Sequence, residues 1–317
     1  MKIAVLGAGA HSRGNHGPAL QHCKVERGDE LELVAVCDLE RARAEAYAAE
    51  FGFARVYTEL EEMVARESPD GIVALTPIEY TEEIAGRIMR LGVPLVVEKP
   101  PGSSLVQARR LAVLAAELKA PHMVSFNRRF GPAFMRAQTW LKEHAERPPV
   151  MVASRMLRHA RHDEEFAPGT GIHSIDNVLA FMGRPLECVT QTYAMGERQT
   201  PFFDARLRFA HAAATFAIAP VSGAVTESIE IVGDGYRIFI DVAQCSISIA
   251  DGGKKVLDWR ASEEMPEWER NGTLDETRSF LRYVENGGWW PTLGDGCLAM
   301  EVAEAVQEGR RAEWSVL

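Results

Sequence analysis

The sequence predicts an α/β Rossmann domain, with a doubly wound parallel sheet, followed by an α+β domain with a largely antiparallel, open-faced sheet. Strand-like and helix-like stretches alternate at first, and consecutive strands with tight turns follow. A glycine-rich turn comes directly after the first strand. A chain of 317 residues has room for both domains, which we place at 1–124 and 125–317.

The first domain alternates buried strands with helices. Its strand-like runs are 2–7, 31–38, 71–76, 94–99 and 122–126. Its helix-like stretches are 39–52, 80–92 and 104–119. Nearly unbroken apolar strands between helices indicate a parallel sheet that is covered on both faces.

The second domain is rich in strands. A helix-like segment at 173–183 precedes strand-like runs at 188–195, 204–210, 212–219, 227–242 and 245–259. The sequences GDG and DGG inside the last two runs are hairpin-turn signals. Two helix-like segments, 273–287 and 294–309, follow. Strands that succeed one another without helices indicate an antiparallel sheet with one exposed face.

Composition argues against several classes of partner. The net charge of −10 argues against nucleic acid and anionic membranes, which attract basic surfaces. Five dispersed cysteines are typical of a reduced intracellular chain, and their spacing indicates no metal site. No apolar run approaches the ~20 residues of a membrane helix, and the first residues do not resemble a signal peptide. We therefore expect a cytoplasmic protein without a structural metal.

The first turn, GAGAHS, fits a dinucleotide-binding turn in part. Gly7 allows a tight turn and Gly9 allows a pyrophosphate to approach the backbone, but Ser12 stands where a third glycine is usual. Asp38 ends the second strand, where an acid binds ribose hydroxyls and repels a 2′-phosphate. This arrangement predicts NAD as the cofactor, with NADP disfavoured.

The order of the motifs resembles the glucose–fructose oxidoreductase, inositol dehydrogenase and MocA (Gfo/Idh/MocA) family over essentially the whole chain. Its most specific motif is Glu98-Lys99-Pro100, supported in order by 127–134, 171–183 and 284–306. The resemblance implies an NAD(P)-dependent dehydrogenase or reductase that acts on sugars, cyclitols or related polyols. It also implies a homodimer or homotetramer formed through the second sheet, for which we take the apolar alternation in 212–219 and 227–232 as support.

The resemblance also assigns residues to the cofactor site. Arg41 and Arg43, after the second strand, are read as an ordinary solvated helix face. The predicted cofactor-binding residues are Gly7, Gly9, His11, Ser12, Arg13, Asp38, Thr76, Pro77, Glu98 and Lys99.

Lys99 and His173 are the predicted catalytic residues. By resemblance, Lys99 stabilises the oxygen that gains negative charge as hydride leaves carbon, and His173 relays the proton. The family's aspartate four residues before this histidine is replaced by Gly169. Asp176, one helical turn after His173, is expected to bind substrate or to orient the histidine, with Asp163 as an alternative.

A basic cluster at 154–166 suggests an acidic substrate. Arg155 and Arg158 are the predicted substrate-binding residues, because a guanidinium matches a carboxylate or phosphate. The alternative is a solvated loop that its own acidic residues neutralise. Two other functions stay open, a non-catalytic NAD(P)-binding regulator and an NAD-assisted glycosidase.

Overall fold

The computed structural model describes residues 1–162 and 166–314. The strands of this part of the chain are β1 (Lys2–Leu6), β2 (Glu32–Cys37), β3 (Arg55–Tyr57), β4 (Gly71–Ala74), β5 (Leu95–Glu98), β6 (His122–Ser125), β7 (Met151–Leu157), β8 (Glu187–Met195), β9 (Thr200–Arg208), β10 (Ala213–Ala219), β11 (Thr226–Gly233), β12 (Tyr236–Asp241), β13 (Ser246–Asp251), β14 (Lys254–Arg260) and β15 (Ala312–Glu313). The helices are α1 (Gly17–Arg27), α2 (Arg41–Phe51), α3 (Leu60–Glu67), α4 (Thr81–Arg90), α5 (Leu105–Leu118), α6 (Pro132–Glu143), α7 (Ile172–Met182), α8 (Glu267–Arg270), α9 (Thr273–Asn286) and α10 (Leu293–Gln307). No helix in the described ranges is both long enough and apolar enough to cross a bilayer.

The first of two compact units contains a parallel sheet of order β3-β2-β1-β4-β5-β6. Every pairing in it is parallel. Residues that point to either face, such as Ile3, Ala4 and Val5, are fully buried, because helices cover both sides. The doubly wound fold predicted from the sequence is therefore confirmed. Strand β3 escaped prediction because it has three residues and begins with exposed Arg55.

The first unit comprises Met1–Asn127 together with Pro266–Cys297. The sequence analysis divided the chain between residues 124 and 125, and so it placed residues 266–297 in the second domain and not in the first. The physical reason lies in α9, whose Phe280 is fully buried, with its ring 2.7 Å from where a Cβ on Gly71 would stand. The roles given to the two predicted domains stay predictions.

The second unit contains Arg128–Met265 and the described residues from Leu298 onward. Its sheet has the order β14-β13-β12-β11-β7-β10-β9-β8-β15. The pairing of β7 with β10 is parallel and the other pairings are antiparallel. The prediction of a largely antiparallel sheet is confirmed. Both predicted hairpin turns are present, with positive φ at Gly235, Gly252 and Gly253.

The two faces of this second sheet differ. On β7, Ser154 faces α7, where its hydroxyl lies 2.6 Å from the hydroxyl of Ser174. The next residue, Arg155, points to the opposite, exposed face. The apolar residues that alternate along β10 and β11 register with the α7 side of β7 and are buried, namely Phe216, Ile218, Ile229 and Ile231. They form the core of the unit itself, so their alternation does not support an oligomer face as expected, and the oligomer stays a prediction.

Candidate active site

The carboxyl ends of four parallel strands bring predicted cofactor residues to one edge of the first sheet. Gly7 follows β1, Asp38 follows β2, and Lys99 follows β5, while Thr76 and Pro77 come two and three residues after β4. Ligands of open α/β sheets bind beyond this edge, at the point where the strand order reverses. Here that point lies between β1 and β4.

The glycine turn after β1 fits a dinucleotide. Gly7 has a φ of 97°, and a Cβ there would stand 2.2 Å from the carbonyl oxygen of Leu75, so only glycine is tolerated. A Cβ on Gly9 would meet nothing within 4 Å. The backbone at Gly9 is therefore open to a ligand, as a pyrophosphate requires.

The segment after the turn departs from a regular helix start. Residues Ser12–His16 form a π-helical turn that leads into α1. The hydroxyl of Ser12 is buried and donates a hydrogen bond of 2.9 Å to the Tyr47 hydroxyl. The glycine that allows close packing here is Gly17 and not residue 12, because a Cβ on Gly17 would stand 2.5 Å from the ring of Phe51. The sequence analysis missed Gly17, although a glycine that opens a helix after such a turn is itself a signal.

Asp38 holds the turn through its carboxylate. Oδ2 accepts a hydrogen bond of 2.8 Å from the Ala8 amide, and Oδ1 accepts one of 2.9 Å from the Glu40 amide. Arg43 lies 3.4 Å from Oδ1. Arg13 pairs with a different acid, Glu50, at 2.5 Å and is largely exposed.

Glu98, at the end of β5, lies beside two histidines of the turn. Its carboxylate is 3.8 Å from Nε2 of His11 and 4.0 Å from Nε2 of His16. Burial, and next the charge of His11, lower the pKa of His16 to about 3, so this ring is neutral. Oε2 of Glu98 is buried and accepts no hydrogen bond from the described residues. One ligand atom from each of the three residues lies within 4.8 Å of the others, a donor set that could also hold a cation.

In the second unit, His173 is the second residue of α7 and is 6% exposed. Its Nε2 lies 3.3 Å from Nη1 of Arg128. Arg128 also donates to Oε1 of Glu227 at 2.6 Å, and Arg158 donates to Oε2 of the same carboxylate at 2.5 Å. The structure therefore places His173, Arg128, Glu227 and Arg158 in one cluster.

Glu227 is 4% exposed and remains ionised in this cluster. Burial acts to raise its pKa, but the charges and hydrogen bonds of Arg128 and Arg158 outweigh burial, and the pKa lies below its ordinary value. The sequence analysis missed both Glu227 and Arg128. The signal for Glu227 was its alternation with Ile229 and Ile231, which places the acid on the buried face of β11.

Asp176 is paired within the same unit. Its two oxygens accept hydrogen bonds of 2.9 and 2.7 Å from Nε and Nη2 of Arg129, and both side chains are buried. The pair joins α7 to the segment that follows β6, and a substrate contact of Asp176 stays a prediction. A Cβ on Gly169 would meet nothing within 4 Å. Asp163, the alternative partner of His173, lies outside the described residues.

The two arginines predicted to bind substrate separate in the structure. Arg158 reaches the His173 cluster, as the hydrogen bond to Glu227 shows. Arg155 lies on the other face of β7, since it alternates with Ser154 and Met156, which face α7. The two arginines therefore lie on opposite sides of the sheet, and substrate binding by either of them stays a prediction.

Known proteins are similar to this chain in sequence and in fold. Residues 1–126 match the family described as "Oxidoreductase family, NAD-binding Rossmann fold". The inositol 2-dehydrogenase of Rhizobium meliloti (strain 1021) is 32% identical over 203 residues, which cover 62% of this chain and 59% of that protein. The D-glucoside 3-dehydrogenase of Escherichia coli (strain K12) is 30% identical over 197 residues, which cover 58% and 55% of the two chains. The chain thus spans less than two thirds of the length of either relative.

A solved structure extends the similarity of fold to the whole chain. Levoglucosan dehydrogenase in complex with NADH matches with a TM-score of 0.82 over 99% of this chain and 98% of that one, at 14% identity. At this identity the match shows the fold alone. The family match over residues 1–126 therefore confirms, for the NAD-binding Rossmann domain, the resemblance to the Gfo/Idh/MocA oxidoreductases that the motifs indicated.

Proposed function

We propose that the protein transfers hydride between NAD(H) and a secondary alcohol or ketone of a sugar, a cyclitol or a sugar acid. The observation that carries this proposal is the carboxyl edge of the first sheet. The open backbone at Gly9, the acid Asp38 and the ammonium of Lys99 follow strands β1, β2 and β5 there. These residues fit a dinucleotide. The bound nicotinamide would accept or donate the hydride. The protein's side chains would bind the substrate oxygen and move its proton.

Lys99 and His173 divide the chemistry in this proposal. The ammonium of Lys99 binds the substrate oxygen and stabilises the negative charge that develops on it. His173, whose ring is held by Arg128, takes the hydroxyl proton during oxidation and returns it during reduction. The same groups serve both directions, because each acts on the same oxygen.

Support for the substrate class comes from the relatives, whose names include an inositol and a glucoside dehydrogenase. The cluster of Arg128, Arg158 and Glu227 carries one net positive charge, since two guanidiniums share one carboxylate. This charge supports the further hypothesis of an acidic substrate such as a uronate or sugar acid. The preference for NAD over NADP rests on Asp38.

The test is a panel of cyclitols, glycosides, aldoses and sugar acids assayed with NAD at the absorbance band of the reduced cofactor. On any active substrate, Lys99→Met should lower turnover by roughly two to three orders of magnitude, as expected for loss of one electrostatic donor. The affinity for NADH should change little. Lys255→Met is the matched control, because Lys255 is an exposed lysine paired with Asp258 on β14.

Three outcomes would contradict the proposal. Intact turnover in Lys99→Met would show that the lysine does not stabilise the reacting oxygen. Binding of NADH without turnover of any class would favour a non-catalytic regulator. Release of free sugar from a glycoside, with no net change of cofactor, would favour an NAD-assisted glycosidase.

We also propose a homodimer or homotetramer formed through the exposed face of the second sheet, as the family resemblance implies. That face carries the ion pairs Arg208–Glu187 and Arg237–Glu230. Sedimentation at micromolar concentration should give twice or four times the mass of one chain. A monomer would refute this proposal without affecting the catalytic one.

A further inference from the structure

Glu227 holds two arginines in a fixed arrangement. It lies on β11 opposite Met156 of β7, on the face of the sheet that α7 covers. Arg128 and Arg158 approach its two oxygens from different segments of the chain, at 2.6 and 2.5 Å. Because the carboxylate is almost fully buried, it stays in place and fixes the guanidinium of Arg128.

The contact between Arg128 and His173 determines which ring nitrogen carries hydrogen. A guanidinium has five N–H donors and no acceptor. Nη1 of Arg128 lies 3.3 Å from Nε2 of His173, so Nε2 must be the acceptor in this contact. A neutral histidine with an unprotonated Nε2 carries its hydrogen on Nδ1.

The charges around the ring also act on its protonation. The cluster of Arg128, Arg158 and Glu227 has one net positive charge, and a nearby cation disfavours a second. On α7 itself, Asp176 is neutralised by Arg129. Strand β10, which also packs against α7, carries no ionisable side chain. Arg161 donates a hydrogen bond to Thr170 in the turn before α7 and is exposed.

We propose that Arg128, positioned by Glu227, sets the tautomer of His173 and keeps its Nε2 unprotonated, in place of the carboxylate that position 169 lacks. Arg128 and Glu227 are positioning residues, and they act through the histidine. The catalytic use of this arrangement rests on the proposed function, in which Nε2 accepts the proton of the substrate hydroxyl. The substrate hydroxyl would then take the place of the Arg128 N–H at Nε2.

The proposal can be tested without a substrate, by nitrogen-15 NMR of the full-length protein with labelled histidine. A His173→Gln variant identifies the signals of this residue. In the wild type at neutral pH, we expect Nδ1 to carry hydrogen and Nε2 to be unprotonated. A hydrogen on Nε2 would overturn the proposal, whatever the protein's activity.

Two variants should shift the titration midpoint of His173 in opposite directions. Arg128→Met removes a cation and should raise the midpoint by roughly one pH unit, while Glu227→Gln removes an anion and should lower it. Arg128→Met should also mix the two tautomers, and Arg128→Lys should restore part of the wild-type midpoint. Shifts of the same sign in Arg128→Met and Glu227→Gln would indicate a structural role and overturn the electrostatic one.

The outer face of the sheet provides a matched control. Glu187 also joins two arginines, Arg208 at 3.0 Å and Arg311 at 2.6 Å, but it points to the face of β8 opposite buried Cys188. Glu187→Gln should leave the His173 signals unchanged. Gly169→Asp is the complementary test, because an added side chain there meets open space. The new carboxylate should raise the midpoint, and a failure to do so would show that position 169 does not face the histidine.

The NMR result and the activity assay can fail separately. If Nδ1 carries the hydrogen but no substrate is turned over, the positioning role of Arg128 and Glu227 stands and the proposed function is wrong. If a substrate is turned over but Nε2 carries the hydrogen, the proposed function stands and the positioning role is wrong.

Discussion

The backbone amide of Ala8 donates a hydrogen bond of 2.8 Å to Oδ2 of Asp38. This carboxylate fixes the glycine turn after β1, and in the proposed function it also binds the hydroxyls of the adenosine ribose. Each oxygen of Asp38 has a backbone donor, and a carboxylate oxygen can accept more than one hydrogen bond.

We therefore expect NADH to bind more tightly than NADPH. Asp38→Asn keeps an acceptor for Ala8 but removes the charge, so the ratio of the two affinities should narrow by about fivefold. This corresponds to the ~1 kcal/mol between two unit charges 4 Å apart in water. Calorimetric titration of wild type and variant with both cofactors measures the ratio. A tenfold preference of the wild type for NADPH would instead assign Arg13, Arg41 or Arg43 to the adenosine site.

Two glycines of the same turn should respond differently to a methyl group. Gly7→Ala should lower the free energy of unfolding by about 1–3 kcal/mol or more. The new Cβ would overlap the Leu75 carbonyl, and the φ of this residue is positive. Gly9→Ala should fold with nearly wild-type stability and lose NADH affinity. Urea unfolding and calorimetry separate the two effects. Normal NADH binding by Gly9→Ala would show that no pyrophosphate approaches this backbone.

His16 should make folding sensitive to acid. Its pKa is about 3 in the folded protein, with burial as the main cause, and 6.5 is the ordinary value. Between these values the unfolded chain binds a proton that the folded protein does not, so stability falls as pH drops. From pH 7 to pH 5 the loss from this group is about 2 kcal/mol. Urea unfolding of His16→Asn should show a smaller loss over this range.

The control for this prediction is His22→Gln, at a half-exposed histidine that pairs with Glu26 on the surface of α1. It should retain the acid sensitivity of the wild type. Equal acid sensitivity in His16→Asn and the wild type would mean that His16 is protonated in the folded protein.

Arg155 and Arg158 form a matched pair for the substrate side. Arg158→Ala should raise the Michaelis constant by about tenfold or more, because it removes one of the two guanidiniums that hold Glu227. Arg155→Ala should leave the Michaelis constant unchanged, because its side chain lies on the far face of β7. Steady-state kinetics on the best substrate of the panel measure both. A larger effect of Arg155→Ala would instead support direct substrate binding by Arg155.

The sequence predicted well what depends on local periodicity. Five of the six strands of the first sheet, all but β3, and the hairpins of the second follow from apolar runs and glycine turns, and the structure confirms them. The alternation that separates Arg155 from Arg158 was also legible in the strand itself, since Val152 and Met156 share one parity with Arg158.

What depends on distant contacts was not predictable from local pattern. The helical period of 273–286 indicates an apolar face, but nothing in it says that Phe280 packs beside Gly71. The pairing of Glu227 with Arg128 joins residues 99 positions apart. The sequence showed that Glu227 lies on the buried face of its strand, but it did not show which residues pair with it.

Residues 266–297 belong to the first unit but are synthesised long after the rest of it, which has a consequence for folding during translation. A ribosome that has finished Asn127 has not yet produced α9, which shares that unit. At ordinary elongation rates the missing helix emerges on the order of ten to thirty seconds later. Until then Phe280 is absent from its place beside Gly71, and nascent chains stopped at residue 127 should be more readily digested by protease than chains extended past residue 297.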